Sequence, residues 1–145
     1  MARKPSLLLV DDEASVLLTL SMVFEGDGYS VTTAASYREA LQLLKTGQRF
    51  DVLVTDLCME KDDIGLELAE QAAKVRPRPI IILITGFASV ENARSALQIP
   101  VDHYALKPLD LDELRTAMNR LLIIRREGRQ HAVGQVGRFS GLRSL

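Results

Sequence analysis

The run Ile80-Ile81-Ile82-Leu83-Ile84 constrains the fold more than any other feature of this sequence, because it is apolar at every position. Successive side chains of a strand point to opposite faces of its sheet, so a strand with no polar position must be covered on both faces. Such strands are typical of parallel sheets that carry helices on both sides. The sequence therefore predicts an α/β fold built on a buried parallel sheet.

The rest of the chain shows the alternation that such a fold requires. Short apolar or β-branched runs predict strands, and longer stretches with apolar residues at helical spacing predict helices. The predicted strands are 6–10, 29–33, 50–55, 80–84 and 101–106, and the predicted helices are 14–25, 36–46, 66–75, 90–97 and a last helix that begins after Pro108. Five consecutive strand-helix units predict a doubly wound (βα)5 sheet in a single domain.

Length, charge and cysteine content narrow the class of protein. The chain has 145 residues and a formal net charge of −1, which suits one domain and gives no sign of a nucleic-acid or membrane partner. No apolar run approaches the ~20 residues that span a bilayer. The single cysteine, Cys58, cannot form an internal disulfide, so we expect a cytoplasmic location. The helical pattern fades after Arg126, which predicts a domain over residues 1–126 and a flexible tail or linker start over 127–145.

Polar side chains follow the ends of four predicted strands. Asp11 and Asp12 follow the first strand, Asp56 the third, Thr85 the fourth and Lys107 the fifth. Ligands of open parallel sheets bind beyond the carboxyl ends of the strands, so these groups are expected to converge. Three clustered carboxylates repel one another and suit a small hard cation with oxygen ligands, which predicts Mg²⁺. A carboxylate on such an ion, beside an ammonium and a hydroxyl, suits phosphoryl transfer.

Four short segments at these strand ends carry a resemblance to a known family. They are Val10-Asp11-Asp12-Glu13, Asp56-Leu57-Cys58-Met59, Ile84-Thr85-Gly86 and Tyr104-Ala105-Leu106-Lys107-Pro108. Their order resembles the receiver domain of bacterial two-component response regulators, over residues 6–126. The resemblance implies a flavodoxin-like sheet with strand order 2-1-3-4-5 and a phosphorelay signalling domain that catalyses only its own phosphorylation and dephosphorylation.

The resemblance also implies roles for the acidic residues. Asp56 would accept a phosphoryl group from a phosphohistidine on a sensor histidine kinase or a histidine phosphotransfer protein. Asp12, Asp56 and the backbone carbonyl of Cys58 would coordinate Mg²⁺ directly, and Asp11 would act largely through a metal-bound water. Neither Cys58 nor Phe87, at positions that place the hydrolytic water in the family, is a good general base, so a fairly long-lived phosphoryl group is expected.

The remaining roles concern switching. Lys107, preceding a proline with an expected cis peptide, would pair with Asp56 and then with the phosphate. Thr85 would move toward the phosphate and let Tyr104 turn inward. The fourth predicted helix, the fifth strand and the last helix would form the output face, which is also a candidate surface for a homodimer. The downstream target is left open.

Two alternatives compete with a phosphorylated receiver. A degenerate receiver would bind partners without phosphorylation, although the full set of acids with Thr85 and Lys107 argues against it. A phosphatase of the haloacid dehalogenase type also uses an aspartate, a lysine and Mg²⁺, but its nucleophile ends the first strand within an Asp-x-Asp motif. The segment 60–64 departs from the receiver pattern, since it lacks the usual proline and is one residue longer.

Overall fold

A five-stranded parallel sheet forms the centre of the fold. The computed structural model describes residues 3–59, 64–86 and 101–135, with side chains described as far as Gly128. The strands are β1 (Ser6–Val10), β2 (Ser30–Ala34), β3 (Val52–Asp56), β4 (Ile80–Thr85) and β5 (His103–Leu106). Their order is β2-β1-β3-β4-β5, and all four pairings are parallel. The predicted fold class and strand order are confirmed.

Four helices lie within the described residues. They are α1 (Ala14–Gly26), α2 (Tyr37–Lys45), α3 (Ile64–Ala73) and α4 (Leu111–Gln135). Predicted and observed boundaries differ by one or two residues for most elements; α3, for example, begins two residues before the predicted start. The Ser36 side chain caps α2 by accepting a hydrogen bond from the Glu39 N–H at 3.1 Å. The helix predicted over 90–97 lies outside the described residues.

The connections place helices on both faces of the sheet. Parallel crossovers are right-handed, and the chain steps from β1 to β2 in one direction and from β2 to β3 to β4 in the other. Helix α1 therefore covers one face, and α2 and α3 cover the opposite face. The core between the sheet, α2 and α3 includes Leu8, Leu53, Ile81, Leu44 and Leu68. All six residues of β4 are buried, which confirms the prediction that this strand is covered on both faces.

Two aspartates fix the register at the amino ends of the strands. Asp51 Oδ2 accepts a hydrogen bond from the Ser6 N–H at 2.8 Å, and Asp102 Oδ2 accepts one from the Ile81 N–H at 2.8 Å. Each carboxylate lies just before a strand and accepts from the first or second amide of the neighbouring strand. Because register set at one end of a parallel pair determines alignment at the other, these contacts help to position the carboxyl-end residues.

Helix α4 extends beyond the predicted domain boundary. It continues to Gln135, so residues 127–135 are helical, whereas the sequence predicts a flexible tail or the start of a linker from residue 127. These residues lack an apolar stripe, which is the signal on which the prediction relied. Five of the nine are glutamate, arginine, glutamine or alanine, which have good helix propensity, and two are glycines, which do not. Within α4, Leu114, Met118 and Leu122 are buried, as their spacing predicts. Residues 136–145 of the predicted tail lie outside the described part of the chain.

Candidate functional site

The carboxyl ends of β1, β3, β4 and β5 bring the predicted site residues to one edge of the sheet. Asp11 directly follows β1, Asp56 is the last residue of β3, Thr85 is the last residue of β4, and Lys107 directly follows β5. The register pairs Asp56 with Ile84, so Asp56 belongs to the strand and does not follow it as predicted. A side chain carried by a paired strand is held more rigidly than one on a loop.

An ion pair connects Asp56 with Lys107. Lys107 Nζ lies 2.8 Å from Asp56 Oδ2, and the Cys58 N–H donates a 3.2 Å hydrogen bond to Asp56 Oδ1. The Asp56 side chain is 5% exposed, while that of Lys107 is 41% exposed. Burial on its own lowers the pKa of Lys107, but the hydrogen bond and the negative charge of Asp56 outweigh it, so the pKa is raised. Lys107 therefore carries a full positive charge at neutral pH, next to the buried side chain of Asp56.

A group of three carboxylates lies beside this pair. Ligand oxygens of Asp11, Asp12 and Glu13 lie within 4.8 Å of one another; Asp11 is buried and the other two are exposed. Burial raises the pKa of Asp11 from 3.8 to about 6, and repulsion by Asp56 and Asp12 adds to the rise. The hydrogen bond from the Glu13 N–H, at 2.8 Å, and the charge of Lys107 act in the opposite direction. The raised pKa shows that Asp11 lacks full compensation for its charge.

This donor set fits a hard divalent cation. Carboxylate and carbonyl oxygens are the ligands that Mg²⁺ takes in proteins, and the group lies next to Asp56 and the backbone that follows it. A cation would also relieve the repulsion that raises the pKa of Asp11. Glu13 was not predicted as part of this group. Its position directly after Asp12 is the available signal, but an acid just before α1 is equally explained by the positive end of that helix.

Thr85 and Tyr104 occupy the ends of β4 and β5. Thr85 is 6% exposed, and its backbone carbonyl accepts a 2.7 Å hydrogen bond from the Lys107 N–H. The Thr85 hydroxyl lies 3.5 Å from the Gly86 carbonyl, at the limit of hydrogen bonding. Tyr104, on β5, is 37% exposed. The Lys107-Pro108 peptide is cis, as predicted.

Comparison with known proteins identifies the family. Residues 7–119 match the model of the response regulator receiver domain, which is most of the chain. The chain belongs to this family. Receiver domains are the signalling domains of two-component response regulators, and phosphorylation, Mg²⁺ binding and interaction with histidine kinases are typical of them.

Curated relatives agree with this assignment. The receiver domain is 37% identical over 123 residues to the transcriptional regulatory protein GlrR of Escherichia coli (strain K12), covering 84% of this chain and 27% of GlrR. It is 36% identical over 119 residues to the alginate biosynthesis transcriptional regulatory protein AlgB of Pseudomonas aeruginosa, covering 82% of this chain and 26% of AlgB. The chain thus spans about a quarter of the length of these relatives.

Solved receiver structures share the fold over almost their whole length. A CheY-like receiver domain protein from Methanospirillum hungatei superposes with a TM-score of 0.80 at 28% identity, covering 87% of this chain and 99% of that one. A response regulator receiver protein from Sinorhizobium medicae gives a TM-score of 0.75 at 32% identity, covering 85% and 98%. Within the described residues, no helix has the length and apolar character needed to cross a membrane.

Proposed function

We propose that this receiver domain is phosphorylated on Asp56 by a phosphohistidine of a sensor histidine kinase or a histidine phosphotransfer protein. The observation that carries the proposal is the 2.8 Å ion pair between Asp56 and Lys107 at the end of a buried strand, in a member of the receiver family. A carboxylate that is held by an ammonium and by the Cys58 N–H is oriented before the donor arrives. The free thiol of Cys58 suits the cytoplasm, where such kinases have their ATP.

The proposed reaction moves the phosphoryl group in one displacement. An oxygen of the Asp56 carboxylate forms a bond to phosphorus while the phosphorus–nitrogen bond of the phosphohistidine breaks, and the imidazole nitrogen keeps the electron pair. Lys107 offsets the negative charge on the phosphoryl oxygens, which lie where its ammonium now meets Asp56. The Thr85 hydroxyl is the proposed donor to a second phosphoryl oxygen. The domain would catalyse no other reaction than its own phosphorylation and dephosphorylation.

Magnesium completes the proposed site. Asp12, Asp56 and the Cys58 carbonyl would hold the ion directly, and Asp11 would do so through a water molecule. The bound ion supplies positive charge opposite the phosphoryl oxygens. The support for this assignment is the oxygen donor set and the repulsion of Asp11 by the carboxylates of Asp56 and Asp12, which a cation would relieve.

We propose that phosphorylation is signalled through a surface that includes β5. Movement of Thr85 toward the phosphate would let Tyr104, now 37% exposed, turn inward and change the surface formed by the predicted helix 90–97, β5 and the last helix. This surface is also the proposed homodimer contact. A phosphate that binds one conformation better by a few kcal/mol is sufficient for such a switch. The names of the curated relatives support a transcriptional output.

Acetyl phosphate and Mg²⁺, followed by intact mass measurement, test the proposal. We expect a phosphoryl adduct on the wild-type chain, no adduct on Asp56→Asn, and an unchanged adduct on Asp27→Asn, a matched change at an exposed carboxylate after α1. Absence of reaction with the wild type would point to a degenerate receiver. Hydrolysis of acetyl phosphate without an adduct would point to a phosphatase. With Cys58 a poor general base, radiolabel on Asp56 is expected to be lost slowly.

A further inference from the structure

Gly65, the second residue of α3, lies directly against the peptide that joins Asp56 to Leu57. A Cβ atom built on Gly65 would be 2.7 Å from Leu57 Cα and 2.9 Å from the Asp56 carbonyl carbon, and closer still to the Asp56 carbonyl oxygen. Real Cβ atoms essentially never approach other atoms within 3.0 Å, and these neighbours are backbone atoms that cannot rotate away. Any side chain at Gly65 would therefore push α3 away from the strand that carries the acceptor.

The lack of space for a Cβ atom, and not the backbone conformation, explains why residue 65 is a glycine. Gly28 and Gly47 have positive φ angles of 97° and 86°, which favour glycine, but Gly65 has no such angle. Around the other described glycines, a built Cβ would meet nothing within 4 Å. Glycine inside a helix normally lowers helix stability relative to alanine. Its presence in the first turn of α3 therefore points to the close contact with the Asp56–Leu57 peptide.

The backbone on both sides of Leu57 is held from three directions. The Gly65 N–H donates a 2.8 Å hydrogen bond to the Leu57 carbonyl, and the Leu57 N–H donates a 2.8 Å bond to the Ile84 carbonyl of β4. The Thr55 hydroxyl, which is fully buried, donates a 3.1 Å hydrogen bond to the Asp56 carbonyl. Helix α3, strand β4 and Thr55 thus fix the backbone between the acceptor carboxylate and Cys58.

We propose that Gly65, together with the Thr55 hydroxyl, is a positioning residue that sets the relative placement of the Asp56 carboxylate and the Cys58 backbone. Both groups belong to the proposed Mg²⁺ site, so the inference rests on the proposed function. The Cys58 N–H already bonds Asp56 Oδ1 at 3.2 Å, and a shift of this backbone would move both groups. Metal sites with strict geometry respond strongly to such shifts: changes around the ligands typically cost about 10- to 100-fold in metal affinity.

The decisive variant is Gly65→Ala, measured by direct calorimetric titration with Mg²⁺ and by the rate of labelling with acetyl phosphate over a range of Mg²⁺ concentrations. We expect the Mg²⁺ Kd to rise about tenfold or more. We also expect labelling at saturating Mg²⁺ to be slower by about tenfold, because the acceptor is misplaced. Thr55→Val, which removes the hydroxyl but keeps the shape, should raise the Mg²⁺ Kd by a smaller factor.

Two controls separate positioning from stability. Leu44→Ala removes core volume from α2, a helix that carries none of the proposed Mg²⁺ ligands, and should lower stability while leaving the Mg²⁺ Kd unchanged. Gly26→Ala makes the same chemical change as Gly65→Ala at a position where a Cβ meets nothing, so the Mg²⁺ Kd and the labelling rate should match those of the wild type.

A Gly65→Ala protein whose Mg²⁺ Kd lies within twofold of the wild-type value would overturn the inference. If Gly65→Ala does not fold, even with a stabilising osmolyte, the test rests on Thr55→Val. A Mg²⁺ Kd for Thr55→Val that equals the wild-type value would then overturn the inference. Failure of the proposed function looks different. In that case the wild-type chain takes no label at all, while the comparison of Mg²⁺ affinities still tests the role of Gly65.

Discussion

Replacing Asp11 with asparagine is expected to stabilise the domain in the absence of divalent cations. Asp11 is 3% exposed, and burial followed by repulsion from Asp56 and Asp12 raises its pKa from 3.8 to about 6. The folded protein therefore holds this proton more tightly than the unfolded chain does. Its stability falls as the pH rises from 3.8 to about 6 and is then constant with respect to this group. A difference of about two pKa units corresponds to about 3 kcal/mol.

The Asp11→Asn variant removes the titrating charge but keeps an oxygen that can accept the 2.8 Å hydrogen bond from the Glu13 N–H. We expect the variant and the wild type to have similar free energies of unfolding near pH 4. At pH 7 the variant should be more stable by about 1 to 3 kcal/mol. Urea unfolding in EDTA across this pH range measures the difference, and Mg²⁺ should reduce it by stabilising the wild type more.

The control is Asp12→Asn, which removes an exposed carboxylate next to Asp11 and should change the free energy of unfolding by no more than about 0.5 kcal/mol. A difference between Asp11→Asn and wild type that stays constant from pH 4 to pH 7 would refute the reasoning. It would mean that the substitution acts through packing or hydrogen bonding, and that the site does not hold an uncompensated charge.

Two further substitutions test the charges at opposite edges of the sheet. Lys107→Ala leaves the buried Asp56 beside Asp11 without its ammonium, and should lower the free energy of unfolding in EDTA by about 1 kcal/mol, a modest value because Lys107 is 41% exposed. Mg²⁺ should stabilise this variant more than the wild type in urea titrations, and equal stabilisation would contradict the prediction. Asp51→Ala removes the acceptor for the Ser6 N–H and should cost about 1 to 3 kcal/mol at pH 7. Since the hydrogen bonds to Asp51 outweigh its burial and lower its pKa, this cost should shrink as the pH falls below 3.8, and acid unfolding curves of both proteins measure it.

Much of the fold could be predicted because each element carries a local signal. The apolar run of β4 and the helical spacing of Leu17, Leu20 and Phe24 in α1 both reflect burial against a neighbour, and both elements were correctly predicted. The continuation of α4 to Gln135 was missed because its signal is helix propensity without an apolar stripe. Propensity alone is a weak guide to where a helix ends.

The sequence likewise predicts some residues of the candidate site and not others. The approach of Asp56 and Lys107 could be predicted because polar residues at the carboxyl ends of neighbouring parallel strands lie at one edge of the sheet. Gly65 could not be assigned a role, since the sequence shows a glycine near a helix start but not the backbone that approaches it. The 2.7 Å separation between a built Cβ and Leu57 Cα depends on how α3 packs on β3, which no local pattern encodes.

Two of the three aspartates that are buried in the described part of the chain have opposite effects on stability at the two edges of the sheet. Asp51, at the amino edge, accepts hydrogen bonds from Ser6 and Arg3, so its pKa is lowered and its charge stabilises the fold. Asp11, at the carboxyl edge, has its pKa raised by burial and then by the like charge of Asp56, so its charge destabilises the fold. Both are 8% exposed or less, so the opposite signs arise from their partners. A cation bound at the carboxyl edge would relieve the destabilising effect of the Asp11 charge. Mg²⁺ binding would therefore raise the free energy of unfolding of the residues around Asp56.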